Sequence, residues 1–143
     1  MTANPEARAE IGVPVRDVVT LRLPAQGAYL AVLRTAAAGL ASRLNFTLDD
    51  IEDLRIAVDE ACAMLLPRGA EGASLECRFE LMPGELDISV SLPTNDPSLP
   101  ARDTFAWTVL TALAGEVDAT EAGGTVTITM KKKSSTDLGA AGA

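Results

Sequence analysis

Between positions 17 and 23 apolar and polar residues alternate, with Val19, Leu21 and Leu23 on one side and Val18, Thr20 and Arg22 on the other. A period of two predicts a strand, and Pro24 closes it because proline lacks an amide hydrogen for the ladder. From Gln26 the period lengthens: Leu30, Leu33, Ala37, Leu40 and Leu44 recur at helical spacing until Asn45 ends the run. Thr47 opens a second helix, with Asp50 three positions on as the acidic half of a capping box. Ile51, Leu54, Val58, Ala61 and Leu65 form the buried stripe of this helix, and segment 67–72 ends it. Two alternating runs follow, 74–81 and 85–92, joined by Met82-Pro83-Gly84; they predict an antiparallel hairpin with one polar face. Segment 93–102 carries three prolines and is expected as a loop. Segment 103–115 is apolar nearly all round, which predicts a well-buried helix. Gly123 and Gly124 turn the chain into a last strand, in which Val126, Ile128 and Met130 alternate with threonines. The expected order is β-α-α-β-β-α-β, an α/β (α+β) two-layer sandwich with a mostly antiparallel sheet and helices on one face.

One domain is expected over 17–133, between a polar N-terminal arm (1–16) containing Pro5 and Pro14 and a disordered small-residue tail (134–143). The lysines at 131–133 sit where a solvated chain end is expected.

Composition removes whole classes of chemistry. The 143 residues include no histidine, so a Ser-His-Asp triad, a His-ligated zinc and a phosphohistidine relay are excluded within this chain. A formal net charge of −8 argues against a nucleic-acid partner, whose phosphates need a concentrated positive field. No apolar run is long enough to span a bilayer and the first residues have no signal-peptide core, so no membrane association and a cytoplasmic location are expected. Cys62 and Cys77 fall at inward positions and read as plain core thiols in preference to a disulfide or a reactive pair.

The run Asp53-Leu54-Arg55-Ile56-Ala57-Val58-Asp59-Glu60-Ala61-Cys62 resembles the second-helix signature of the anti-sigma factors related to RsbW, a branch of the GHKL ATPase superfamily. The likeness extends over 17–133, and Phe105-Ala106-Trp107-Thr108-Val109-Leu110-Thr111-Ala112-Leu113 is similar to the actinobacterial members. The resemblance implies a Bergerat/GHKL-like fold and two partners, a sigma factor and an anti-anti-sigma antagonist. It also implies a homodimer with the first helix near the shared surface, and ATP with Mg²⁺ used for serine-kinase activity on the antagonist.

Residue by residue, the resemblance makes Glu60 the counterpart of the general base. Helix geometry places Glu60 opposite the buried stripe, where a solvated helix face is the alternative reading. Four residues on, where the family has an asparagine that holds Mg²⁺, this chain has Met64, whose thioether is a poor ligand for a hard cation. The Asp-x-Gly-x-Gly turn that meets adenine in the superfamily is replaced by Pro93-Thr94-Asn95-Asp96-Pro97, leaving Asp96 as the candidate adenine contact. The glycine-rich lid is replaced by Arg102-Asp103-Thr104-Phe105, leaving Arg102 to supply charge for phosphates or to serve as an ordinary loop residue. Asp49, Asp50, Glu52 and Asp53 lie in the first turns of the second helix, where its dipole favours negative charge, and no metal site is expected there. Arg34 flanks the buried stripe of the first helix; the resemblance gives its counterpart a partner contact, and a boundary residue whose stem covers apolar surface is the alternative.

Two functions follow: an anti-sigma factor that sequesters an alternative stress or developmental sigma factor until an antagonist releases it, or an active Mg-ATP-dependent serine kinase acting on that antagonist. Phosphoryl transfer depends on positioned charge, and the missing Mg²⁺ ligand and glycine turns favour the first, with activity weak or absent.

Overall fold

The computed structural model describes residues 16–135. The expected arm, except for Arg16, and the expected tail from 136 onward lie outside the described residues.

Strand β1 (Asp17–Pro24) leads through a single 3-10 turn (Gly27–Tyr29) into helix α1 (Leu30–Arg43). Asn45, at φ 59°, reverses the chain in the left-handed region that asparagine tolerates better than most residues. Helix α2 (Leu48–Leu65) then starts on the expected capping box: Thr47 Oγ1 accepts from the Asp50 amide at 3.1 Å, and Asp50 Oδ2 accepts from the Thr47 amide at 3.4 Å. The 3-10 turn Leu66–Arg68 ends it. Strands β2 (Ser74–Met82) and β3 (Glu85–Pro93) form the expected hairpin. At its turn Pro83 presets a negative φ, and Gly84 supplies a φ of 72°.

Helix α3 (Phe105–Ala114) is capped by Thr104, whose Oγ1 accepts from the Trp107 amide at 3.1 Å. It differs from the helix expected at 103–115. Only Trp107, Leu110 and Ala114 are buried, and Phe105 is 83% exposed, because α3 is covered on one side alone.

A strand absent from the sequence reading follows α3. Strand β4 (Glu116–Ala122) pairs with β5 (Thr125–Lys133) through a two-residue turn in which Gly123 and Gly124 both have positive φ. That is the geometry of a tight β-hairpin, in which glycine carries no steric penalty. The element order is therefore β-α-α-β-β-α-β-β. The five strands form one wholly antiparallel sheet in the order β1-β2-β3-β5-β4.

Register explains the two-layer form. Across the sheet Leu21 pairs with Cys77, Cys77 with Val90, Val90 with Ile128 and Ile128 with Ala119, so one row of apolar side chains crosses all five strands on one face. The neighbouring row, Val19-Phe79-Ile88-Met130-Val117, does the same. Leu33 and Ala37 of α1, Leu54, Val58 and Leu65 of α2, and Leu110 of α3 belong to the same continuous core. Helix α2 packs between α1 and α3. The opposite face of the sheet is polar, with Ser91 and Thr127 hydroxyls hydrogen-bonded across β3 and β5 at 2.8 Å.

Two further expectations change. The lysines at 131–133 are not a solvated chain end: all three lie in β5, and Lys132 continues the inward alternation of Val126, Ile128 and Met130. Its ammonium donates to the Leu113 carbonyl at 2.9 Å, at the C-terminal end of α3 where cations are favoured. It also lies 3.9 Å from Asp50 and 3.7 Å from Asp53. Ser134 is buried and its amide donates to Gly84 O at 2.8 Å, while Ser135 donates to Asp50 Oδ2 from both its amide (3.0 Å) and its hydroxyl (2.7 Å). These two serines belong to the fold and not to a disordered tail.

Candidate functional site

Helix α2 carries the central candidates because its stripe faces the core while its flanks meet α1 and α3. Glu60 is half-buried on this helix and has no hydrogen-bond or ion-pair partner among the described residues. One turn on, Met64 is also half-buried and packs against the hydrophobic core. Its thioether therefore completes the packing instead of presenting an oxygen to a cation.

Asp59, beside Glu60, receives Arg34. The Arg34 Nη1 of α1 donates to Asp59 Oδ1 at 2.9 Å, with the two side chains 33% and 39% exposed. This bridge spans the α1–α2 contact and assigns Arg34 an intramolecular partner that sequence reasoning missed. Neither helix's own period encodes it, since it depends on how the two helices are rotated against each other.

Asp96 lies fully at the surface of the segment between β3 and α3. Its Oδ1 accepts from the Ser98 amide at 3.1 Å, and the hydrogen bonds from Ser98 hold its pKa below the usual carboxylate range. This is a self-capped turn of the kind aspartate favours. The segment is tied to the rest of the chain at Thr94, whose amide donates to Gly124 O (2.9 Å), and at Asn95, whose amide donates to Arg68 O (3.1 Å). Arg68 in turn donates to Ser98 O. The turn bearing Asp96 is thus anchored near the C-terminal end of α2, but no hydrogen bond among the described residues joins Asp96 to Glu60.

Arg102 is committed elsewhere. Its Nη2 lies 2.6 Å from Asp118 Oδ1 on β4, and its guanidinium stacks over the Trp107 ring, 4.9 Å from the centroid. Arg102 thus clips the start of α3 to the strand that the sequence reading overlooked. It also holds the Asp118 carboxyl below its ordinary pKa.

The acidic start of α2 is used structurally. Asp50 is buried, and burial raises its pKa, but the hydrogen bonds from Ser135 and Thr47 outweigh that and hold it below the ordinary value. Glu52 pairs with Arg55 at 2.8 Å. Cys62 on α2 and Cys77 on β2 are both buried and free. Burial, helped by the nearby Asp59 charge, pushes the Cys62 thiol up to about 12; burial and the neighbouring Cys62 raise Cys77 further.

This arrangement has known relatives. No protein-family profile matches the chain. It is 33% identical over 78 residues to the serine-protein kinase RsbW of Bacillus subtilis, covering 52% of this chain and 49% of that protein. It is 48% identical over 78 residues to the serine-protein kinase RsbW of Bacillus velezensis, with the same coverage. Over this segment the chain is similar to RsbW. It spans about half the length of the curated relatives it matches. The crystal structure of the RsbU and RsbW domains of Rv1364c from Mycobacterium tuberculosis shares the fold, with a TM-score of 0.66 over 85% of this chain and 33% of that one, at 17% identity. The RsbW likeness brings ATP and Mg²⁺ into question, and the residues present do not fit them well. Met64 packs half-buried against the core, Asp96 is capped by its own turn, and Arg102 is held by Asp118 and Trp107. No helix among the described residues is long and apolar enough to cross a membrane.

Proposed function

We propose that this chain is an anti-sigma factor of the RsbW type: a cytoplasmic, homodimeric binding protein that sequesters an alternative sigma factor and is released by an anti-anti-sigma antagonist. Its ATP affinity is low, and its kinase activity on the antagonist is weak or absent. The observation that carries this reading is the commitment of Asp96 and Arg102 to partners within the chain, which leaves Glu60 as the one candidate nucleotide-site side chain without a hydrogen-bond or ion-pair partner among the described residues. Positioned charge is the substance of phosphoryl-transfer catalysis, whereas partner binding needs only an ordered surface. The likeness to RsbW supplies the class of partner, and Arg34 on α1 supplies a charged anchor for it.

The test is transcription reconstituted with each alternative sigma factor of the same genome, with co-elution on a sizing column. Inhibition of transcription from one sigma factor at stoichiometric protein supports the reading. Undiminished transcript with every sigma factor, and no co-elution, overturns it. Rapid ATP-dependent serine phosphorylation of an antagonist would replace the binding-only account with that of an active kinase.

A further inference from the structure

Resting on the anti-sigma reading above, we propose that Asp59 is a positioning residue for partner recognition: it holds the Arg34 guanidinium so that its remaining donors face an acidic group of the partner. Arg34 and Asp59 meet through one nitrogen and one oxygen, Nη1 and Oδ1, at 2.9 Å. A guanidinium carries five N–H donors in a rigid plane, so a single contact at one nitrogen limits where the group can swing and leaves its other donors for a second acceptor. Arg34 has no other hydrogen-bond or ion-pair partner among the described residues, and a third of its side chain is exposed. Free arginine side chains carry much rotamer entropy, of order 2 kcal/mol, and one already ordered by a neighbour loses less of it on binding.

The surroundings suit a docking anchor. Ile56, one turn before Asp59 on α2, is a large apolar residue that remains half exposed. On α1, Ala31, one turn before Arg34 on the same flank, is exposed and small. A partner segment can therefore lie close against the helix and present a carboxylate to Arg34. Asp59 immediately precedes Glu60, so the same bridge ties the docking helix to the turn of α2 that carries the candidate base.

The experiment is a double-mutant cycle on binding of the sigma factor that the wild-type chain retains in the test above, read by calorimetric titration. Arg34→Ala is expected to weaken binding more than about tenfold, and Asp59→Ala about tenfold. The double variant is expected to bind no more weakly than Arg34→Ala alone, because Asp59 acts only through Arg34. Asp59→Asn keeps an acceptor at Oδ1 and is expected to stay within about threefold of wild type, whereas Asp59→Glu keeps the charge but displaces it and is expected to weaken binding. If Asp59→Ala lowers the urea midpoint, the Asn and Glu variants carry the comparison. Asp59→Ala and Asp59→Glu variants that bind as wild type or tighter, or losses that add to that of Arg34→Ala, overturn the proposal. A wild-type chain that retains no sigma factor fails the underlying reading instead, and the inference falls with it.

Discussion

Asp87→Asn is expected to make the protein more stable above neutral pH and to leave it nearly unchanged in mild acid. Asp87 projects from β3 on the polar face of the sheet, opposite Glu80 of β2 and Lys131 of β5, with Glu85 two residues back on its own strand. Its Oδ1 is buried and has no hydrogen-bond partner among the described residues. Burial, a hydrogen bond shared with Glu85 and the charges of Glu85 and Glu80 push its pKa up to about 7, against the opposing pull of Lys131. Between about pH 4 and 7 the folded protein then holds a proton that the unfolded chain has released, so stability falls as pH rises through that window. At about 1.4 kcal/mol per pH unit the ceiling is roughly 4 kcal/mol, which solvent screening of a half-buried group reduces to the order of 1–2 kcal/mol. Asparagine keeps the shape and cannot ionise. Urea unfolding of both proteins at pH 5, 6, 7 and 8 measures the effect: the two curves should nearly coincide at pH 5 and separate by about 1–2 kcal/mol at pH 8, with the variant above. A difference that stays flat with pH, or a wild type that is the more stable at pH 8, would refute the reasoning.

Three other outcomes are expected. Asp50→Ala removes the acidic half of the capping box, both Ser135 anchors and a neighbour of Lys132, and should cost about 2–4 kcal/mol by urea unfolding, whereas Asp50→Asn keeps the acceptors and should cost less. Because the Asp50 pKa is lowered, its contribution is present above the unfolded value and is lost as pH falls below about 4. Cys62 and Cys77 should react with a thiol reagent at pH 8 only at the rate of unfolding, and a fast equivalent in the native protein would contradict their burial and raised pKa values. Glu60→Gln should leave sigma-factor inhibition unchanged, with radiolabelled phosphate transfer to any antagonist at background in both proteins; rapid transfer lost in the variant would show a working nucleotide site.

The strands β2, β3 and β5 were legible because each buries one face only, so an inward Leu, Ile or Val at every second position leaves an unbroken alternation. The capping box of α2 was legible for the same local reason. Strand β4 was not, because it is an edge strand that sends only Val117 and Ala119 into the apolar rows. Its one signal was the Gly123-Gly124 pair, since a two-residue turn with both φ positive requires a strand on either side. The overlooked strand also hid the fate of Arg102, whose partner Asp118 lies on it. Apolar composition all round α3 could not reveal that one side of that helix is open, as Phe105 shows. At the candidate site, the sequence placed Arg34 on the flank of its helix and Glu60 opposite the buried stripe, whereas the fold leaves Glu60 half-buried. The Arg34–Asp59 bridge was invisible because it is a property of the helix pair and not of either helix.

The clasp between Asp50 and Ser135 joins residues 85 positions apart. A ribosome releases the chain from the N-terminal end, so α1 and α2 emerge long before the group that completes the cap of α2. The sheet imposes the same delay, because the central strand β3 has β5 as one neighbour, and β5 is made after α3 and β4. The nascent domain must therefore wait with one edge of β3 unpaired until nearly all of segment 16–135 is available. During that interval it depends on whatever shields an open strand edge.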